Sequence, residues 1–207
     1  MTLLPEFSGL NPILKKRSRQ IAVVLEDIYQ PHNASSILRT CDAFGIQDLY
    51  IINARNKFQF DPVKSMGMER WVDRHEYDGE SATIDCLTNL KKSGYTIAAT
   101  SLRPGCISLD DLAVPEKLAL CFGTEEKGLS DPAHDLADLF IRIPMFGLTQ
   151  SFNVSVTVAL SLQKLHGSLQ PKGPLPLAQP EAAALRLRWQ RQLQALQDGR
   201  TDSATAL

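Results

Sequence analysis

Short apolar runs separated by helix-length spacers constrain this chain more than any other feature. They are Gln20–Leu25 (QIAVVL), Asp48–Asn53 (DLYIIN), Tyr95–Thr100 (YTIAAT), Leu118–Phe122 (LALCF) and Leu139–Ile143 (LFIRI). Each is too short for an independent helix, and turn residues bound most of them, as expected of buried strands. The spacers carry helical signals. Pro31-His32-Asn33 reads as a turn, with Asn33 as N-cap of a helix to about Phe44 whose apolar stripe is Ile37, Leu38, Cys41 and Phe44. Gly45 closes it. Ser81–Lys92 predicts a second helix ending at Gly94, and a short one starts near Asp131. Residues 58–70 read as irregular, and Trp71–Tyr77 as a short strand. Strands alternating with helices predict an α/β fold with a mostly parallel sheet and helices on both faces.

Composition narrows the class. With 207 residues and 43% hydrophobic, the chain can build a real core and is not a disordered protein. A net charge of −1 means that a polyanion must be met by a local patch. Such patches exist near both ends: Lys15, Lys16, Arg17 and Arg19, and Arg186, Arg188, Arg191 and Arg200. Cys41, Cys86, Cys106 and Cys121 are widely spaced, which suits free thiols of a reduced compartment better than disulfides or zinc. The first residues, with Pro5 and Glu6, lack a signal peptide's apolar core, and no apolar run is long enough to span a membrane. A cytoplasmic protein is expected.

Four polar loops follow predicted strands: Asn33–Arg39, Thr100-Ser101, Gly123–Gly128 and Gly147–Asn153. In open α/β sheets such carboxyl-end loops converge on one crevice. The last is the most developed. A strand stops at Pro144, a turn forms at Gly147, and Thr149, Gln150, Ser151 and Asn153 lead into a long apolar helix. Unpaired N–H groups at that helix start would face a polar ligand. Several familiar chemistries fail on single residues. Gly123-x4-Gly128 resembles a phosphate loop, but Leu129 stands where the lysine belongs. His75-Glu76 begins a zinc-protease motif, but Gly79 replaces its second histidine. No glycine-rich dinucleotide fingerprint follows a strand. His32, in a Pro-His-Asn turn, reads as structural rather than as a general base, and Glu125 or Glu126 is a site candidate by position.

Three segments in order carry a resemblance: Asn33-x5-Arg39 with Thr40-Cys41-Asp42; Phe122-Gly-Thr-Glu125-x2-Gly128-Leu129; and Ile143-Pro-Met-x-Gly147-x3-Ser151-x-Asn153-Val-Ser155. Over residues 20–166 the chain resembles the SPOUT superfamily, and within it the TrmH-type RNA ribose 2′-O-methyltransferases. The resemblance implies a deep trefoil knot over about Leu118–Leu165, a feature that composition never suggests. It implies S-adenosylmethionine lined by Thr100, Gly123, Ile143, Leu148 and Phe152, largely through backbone groups, with no metal. It implies a homodimer with composite sites, in which Arg39 acts on the partner's cofactor while Asn33, Glu125, Ser151 and Asn153 hold Arg39 and the loops. Family proposals make Arg39 the base for the 2′-hydroxyl proton. A guanidinium with a pKa above ~12 is better suited to anchoring phosphate and stabilising charge on the 2′-oxygen.

Within that family the pattern is nearest to enzymes that methylate the D-loop guanosine at tRNA position 18. A Pro-rich linker (Gly167–Pro180) leads to a helix over Glu181–Leu196, with Leu185, Trp189, Leu193 and Leu196 on one side. Three parts are expected: a basic segment 1–19, the methyltransferase domain 20–166, and 167–207 as linker and basic helix. Lys15, Lys16, Arg17, Arg19, Arg186, Arg188 and Arg191 are the expected RNA contacts, reaching phosphates rather than bases. The partner is RNA, not DNA or membrane. Other tRNA positions, ribosomal RNA, base methylation and a non-catalytic knotted RNA-binding protein are the alternatives.

Overall fold

The apolar runs pair as one seven-stranded, all-parallel sheet in the order β3-β2-β1-β6-β4-β7-β5. The strands are β1 (Ile21–Glu26), β2 (Asp48–Asn53), β3 (Asp73–Asp78), β4 (Thr96–Thr100), β5 (Ile107–Ser108), β6 (Leu118–Phe122) and β7 (Leu139–Arg142). The computed structural model describes residues 9–103, 105–170 and 172–198. Pro5, Glu6, Pro104, Pro171 and Arg200 lie outside the described residues.

Side-chain alternation along the strands divides the core in two. Val23, Leu25, Leu49, Ile51, Leu120 and Phe122 face α2 (Pro31–Ala43) and α6 (Val154–Ser168). Ala22, Val24, Ile97, Ala99, Ala119 and Cys121 face α4 (Ala82–Lys92) and α5 (Asp131–Leu136). Helices therefore cover both faces, and β1 and β6 are buried along their whole length. Placing β6 between β1 and β4, with Val23 opposite Leu120 and Ala98 opposite Leu120, sets the loop after Phe122 between the carboxyl ends of two neighbours.

Differences from the sequence reading have physical causes. α2 starts at Pro31, which suits the first helical position because its φ is already helical and it has no N–H to leave unpaired. Asn33 is therefore in the first turn rather than at the cap, and its side chain is free for longer-range bonding. Residues 58–70 hold a helical turn, α3 (Pro62–Ser65), capped by Asp61 Oδ1 accepting from the Val63 and Lys64 N–H groups. β3 (DRHEYD) has no apolar run because it is the sheet edge. The two-residue β5 at the other edge gives almost no sequence signal.

The described residues form two compact units, 9–17 with 176–198, and 18–175. In the first, α1 (Leu10–Leu14) packs on α7 (Gln179–Gln197), burying Leu10, Leu14, Leu185, Trp189 and Leu193. The Arg17 guanidinium lies 5.0 Å above the Trp189 ring and is only 2% exposed. This overturns its expected role as a phosphate contact. Arg19, in the second unit, is likewise committed. It pairs with Asp48 and, at 2.7 Å, with Asp73. Although burial opposes ionisation of Asp48, hydrogen bonds from His75 and Arg19 hold its carboxyl below the usual range. Lys15, Lys16, Arg186, Arg188 and Arg191 are exposed, and all belong to the first unit. No helix among the described residues is long and apolar enough to cross a membrane.

One buried carboxylate locks the sheet to both helices of its second face. Glu26 accepts from Ser130 N–H at 2.7 Å, Ser130 Oγ at 2.6 Å and Thr83 Oγ1 at 2.6 Å. Glu26→Ala leaves these donors unpaired, one of them in the N-cap residue of α5, and is expected to destabilise the chain by about 3 kcal/mol. Urea unfolding measures this. A loss below about 0.5 kcal/mol, the range of neutral surface changes, contradicts it.

Candidate functional site

Three of the polar loops meet at one carboxylate oxygen. Glu125 Oε1 accepts from Asn33 Nδ2 at 2.9 Å, Asn153 Nδ2 at 3.0 Å and the Val154 N–H at 3.2 Å. Asn153 Nδ2 also donates to Asn33 Oδ1 at 2.9 Å, and Asn33 Nδ2 to Gln30 Oε1 at 2.7 Å. Both hydrogens of each amide are thus committed, which fixes which way each side chain faces. Asn153 Oδ1 completes the set by accepting from Ser155 N–H at 2.9 Å and Ser155 Oγ at 2.6 Å, as the N-cap of α6. A carboxylate at the start of a helix is also favoured by the helix dipole.

The loop that carries Glu125 is shaped by its glycines. A Cβ on Gly123 would lie 2.1 Å from the Gly128 carbonyl carbon, so only glycine lets the loop close on itself. Gly128 sits at φ +67° and returns its N–H to the Thr124 carbonyl at 2.9 Å. The closed loop walls a cleft of about 540 Å³ at the carboxyl ends of β4, β6 and β7. That is within the range of small-ligand sites.

Of the residues expected to hold a ligand, Thr100, Gly123, Ile143 and Phe152 line this cleft. Thr100 Oγ1 donates to the Cys121 carbonyl at 2.9 Å, so its hydroxyl hydrogen is already engaged. Leu148 does not line the cleft. It is fully exposed, as is Phe146 at 98%, because none of the described residues covers the 146–148 turn. Ser151 lines the cleft without joining the Glu125 junction. Arg39 lies six residues beyond Asn33 on α2, about 240° around the helix. It is exposed, outside the cleft, with no hydrogen-bond or ion-pair partner among the described residues. The structure therefore joins Asn33, Glu125 and Asn153 and leaves Arg39 pointing elsewhere.

Two lining residues gave no sequence signal. Ser161 is 1% exposed and His134 9%, and among the described residues Ser161 Oγ and His134 Nδ1 have no hydrogen-bond partner. Burial, and after it the Arg103 charge, lowers the His134 pKa, so the imidazole is neutral at pH 7. Ser161 looks like one more residue of an apolar helix, and His134 like a surface residue of a short one. Only the fold shows that both border the same cleft. Among the described residues no cluster of His, Cys, Asp and Glu could hold a metal. The cleft thus offers backbone groups, apolar walls (Phe122, Ile141, Val154), uncharged polar atoms and the charged side chains of Arg103, Lys127 and Arg142, which suits a ligand with apolar and hydrogen-bonding parts.

Comparison with known proteins agrees with this geometry. Residues 20–163 match the SpoU rRNA Methylase family. A tRNA (guanosine(18)-2′-O)-methyltransferase of Borreliella burgdorferi is 38% identical over 185 residues, covering 89% of this chain and 84% of that one. The enzyme of the same name from Thermus thermophilus is 35% identical over 159 residues, covering 74% and 77%. The crystal structure of the A. aeolicus TrmH/SpoU tRNA modifying enzyme superposes with a TM-score of 0.81 at 28% identity, covering 90% of this chain and 95% of that one. The chain belongs to the SpoU rRNA Methylase family and is an RNA methyltransferase.

Asn153→Ala removes the α6 cap and two amide bonds of the junction. It is expected to cost about 2 kcal/mol, from the cap and the two lost amide bonds together. Chemical denaturation checks this, and a midpoint unchanged from the parent contradicts it.

Proposed function

We propose that this SpoU-family chain transfers a methyl group from S-adenosylmethionine to the ribose 2′-oxygen of guanosine 18 in the tRNA D-loop. One observation carries the reading: the Glu125–Asn33–Asn153 junction, which joins the three family segments at the rim of the 540 Å³ cleft. The relatives that match across most of the chain act, by their names, at this nucleotide.

S-adenosylmethionine supplies an electrophilic methyl on a sulfonium, and its transfer to the 2′-oxygen leaves S-adenosylhomocysteine and releases the hydroxyl proton. The chain's part is to bind and to orient. Thr100, Gly123 and Ile143 offer backbone groups, Phe152 and Val154 apolar surface, and His134 Nδ1 and Ser161 Oγ unpaired polar atoms. A neutral His134 adds no repulsion towards a sulfonium. Holding the reacting atoms in line supplies much of the rate in such a displacement.

Arg39 of a second copy completes the site. Two features support a homodimer: Arg39 lies outside its own chain's cleft, and Phe146, Leu148, Val156 and Leu160 are exposed apolar side chains. There Arg39 anchors the phosphate next to the target ribose and stabilises charge on the 2′-oxygen. Leu148 gains its cofactor contact in the same assembly. Residues 118–165 thread as the trefoil knot of the superfamily. Lys15, Lys16, Arg186, Arg188 and Arg191, all exposed on one unit, meet tRNA phosphates. The protein works in the cytoplasm, where its tRNA is.

Arg39→Ala is expected to bind S-adenosylmethionine within about threefold of the parent by calorimetry, yet lose methyl transfer by about 100-fold or more, the scale for a lost charge stabiliser. Transfer of labelled methyl to tRNA at a near-parental rate overturns the role given to Arg39.

A further inference from the structure

The loop that walls the first cleft also walls a second. On its other side, residues 124–128 border a space of about 450 Å³ at the carboxyl ends of β1 and β2, closed by Tyr29, Gln30, Arg55 and Asn56. A ligand there would be one loop's thickness from a methyl donor in the first cleft.

The second cleft is held open at a conformational cost. Asp27, just past β1, has φ +58°, a left-handed backbone that costs a non-glycine residue about 1 kcal/mol or more. What the strain secures is the 55–56 turn. Asp27 Oδ1 accepts from the Arg55 N–H at 2.7 Å and the Asn56 N–H at 3.1 Å, and Asn56 Nδ2 donates to the Asp27 carbonyl at 3.4 Å. Arg55 Nε is 3.6 Å from Asp27 Oδ2, which orients the guanidinium while its Nη atoms stay unbonded among the described residues. Glu126 and Lys127 border this cleft as well as the first, and the Glu126 carboxylate has no hydrogen-bond or ion-pair partner among the described residues. The carboxylates of Glu26, Asp27 and Glu125 are all engaged, so Glu126 is the acceptor left over. Tyr29, 49% exposed, adds a ring.

A free carboxylate and a preset guanidinium across one cleft, with an aromatic ring beside them, match one nucleobase. Guanine presents two adjacent donors, N1–H and N2–H, to a carboxylate, and two acceptors, O6 and N7, to an arginine. Adenine offers an acceptor at N1 and a donor at N6, the wrong sign in both places. RNA bases in loops are splayed out and read on these edges, with stacking on aromatic side chains. We propose that the second cleft takes the base of the target guanosine, with Glu126 on N1–H and N2–H and Arg55 on O6 and N7. This rests on the methyltransferase reading above and adds the choice of base to it.

The test uses the full chain with S-adenosylmethionine and tRNA carrying guanosine, inosine or 7-deazaguanosine at position 18. Inosine lacks only the 2-amino donor read by Glu126, and 7-deazaguanosine lacks only the N7 acceptor read by Arg55. The parent is expected to favour guanosine over each analogue by about tenfold or more in kcat/KM, the scale of a lost bidentate base contact. Glu126→Ala brings the guanosine-to-inosine ratio to within about twofold while keeping the preference over 7-deazaguanosine, and Arg55→Ala does the reverse. A structural role would lower all three substrates together. Unchanged ratios in both variants, or a uniform loss, overturn the proposal. Absence of methyl transfer by the parent to guanosine tRNA overturns the reading beneath it instead, so the two failures are distinct.

Discussion

The Glu125 carboxylate is the contact on which the rest of the site depends. One oxygen takes three N–H donors, from the first turn of α2, the Asn153 amide and the first turn of α6. These segments are 92 and 28 residues away in sequence, so nothing local holds them together. Charge-assisted bonds are stronger than neutral ones, and the mutual Asn33–Asn153 bond makes the set cooperative. Loss of any member leaves the others with unmet donors. A network of this kind sets position more than it adds stability, and position is what a methyl transfer needs.

The sheet supplies what the junction cannot. Because β6 runs between β1 and β4, its carboxyl-end loop emerges where the neighbouring strand ends also open. Gly123 lets that loop fold back on Gly128, leaving a thin partition with a cleft on each side. The first cleft has apolar walls and backbone groups, with Arg103, Lys127 and Arg142 also in its lining. The second carries a free anion and an oriented cation. Two clefts on one thin partition fit a division of labour between the methyl donor and the base whose ribose receives the methyl.

Much of this was legible in the chain. The runs at 20–25, 48–53, 95–100 and 118–122 became strands within a residue or so, because central parallel strands are buried on both faces and must be continuously apolar. The polar loops could be placed at the sheet's carboxyl edge for the same reason. What escaped depends on tertiary context. β3 is polar because it is an edge, and β5 is too short to show a pattern. Arg17 and Arg19 look like free surface cations, yet a tryptophan ring and two aspartates absorb them. Ser161 and His134 acquire meaning only when α5 and α6 border one cleft. Asp27 carries no sequence mark of its left-handed backbone, since the residues it bonds are 28 and 29 positions on.

The central claim is that this junction-built cleft delivers a methyl group to one ribose oxygen. Alkaline hydrolysis of tRNA after incubation with the full chain and S-adenosylmethionine tests it most directly, since a 2′-O-methyl group removes the nucleophile for cleavage at its own nucleotide. The account predicts a ladder with a single gap at guanosine 18, the nucleotide named for the relatives. An unbroken ladder on tRNA that has nonetheless taken up methyl, or a gap at another nucleotide, contradicts it.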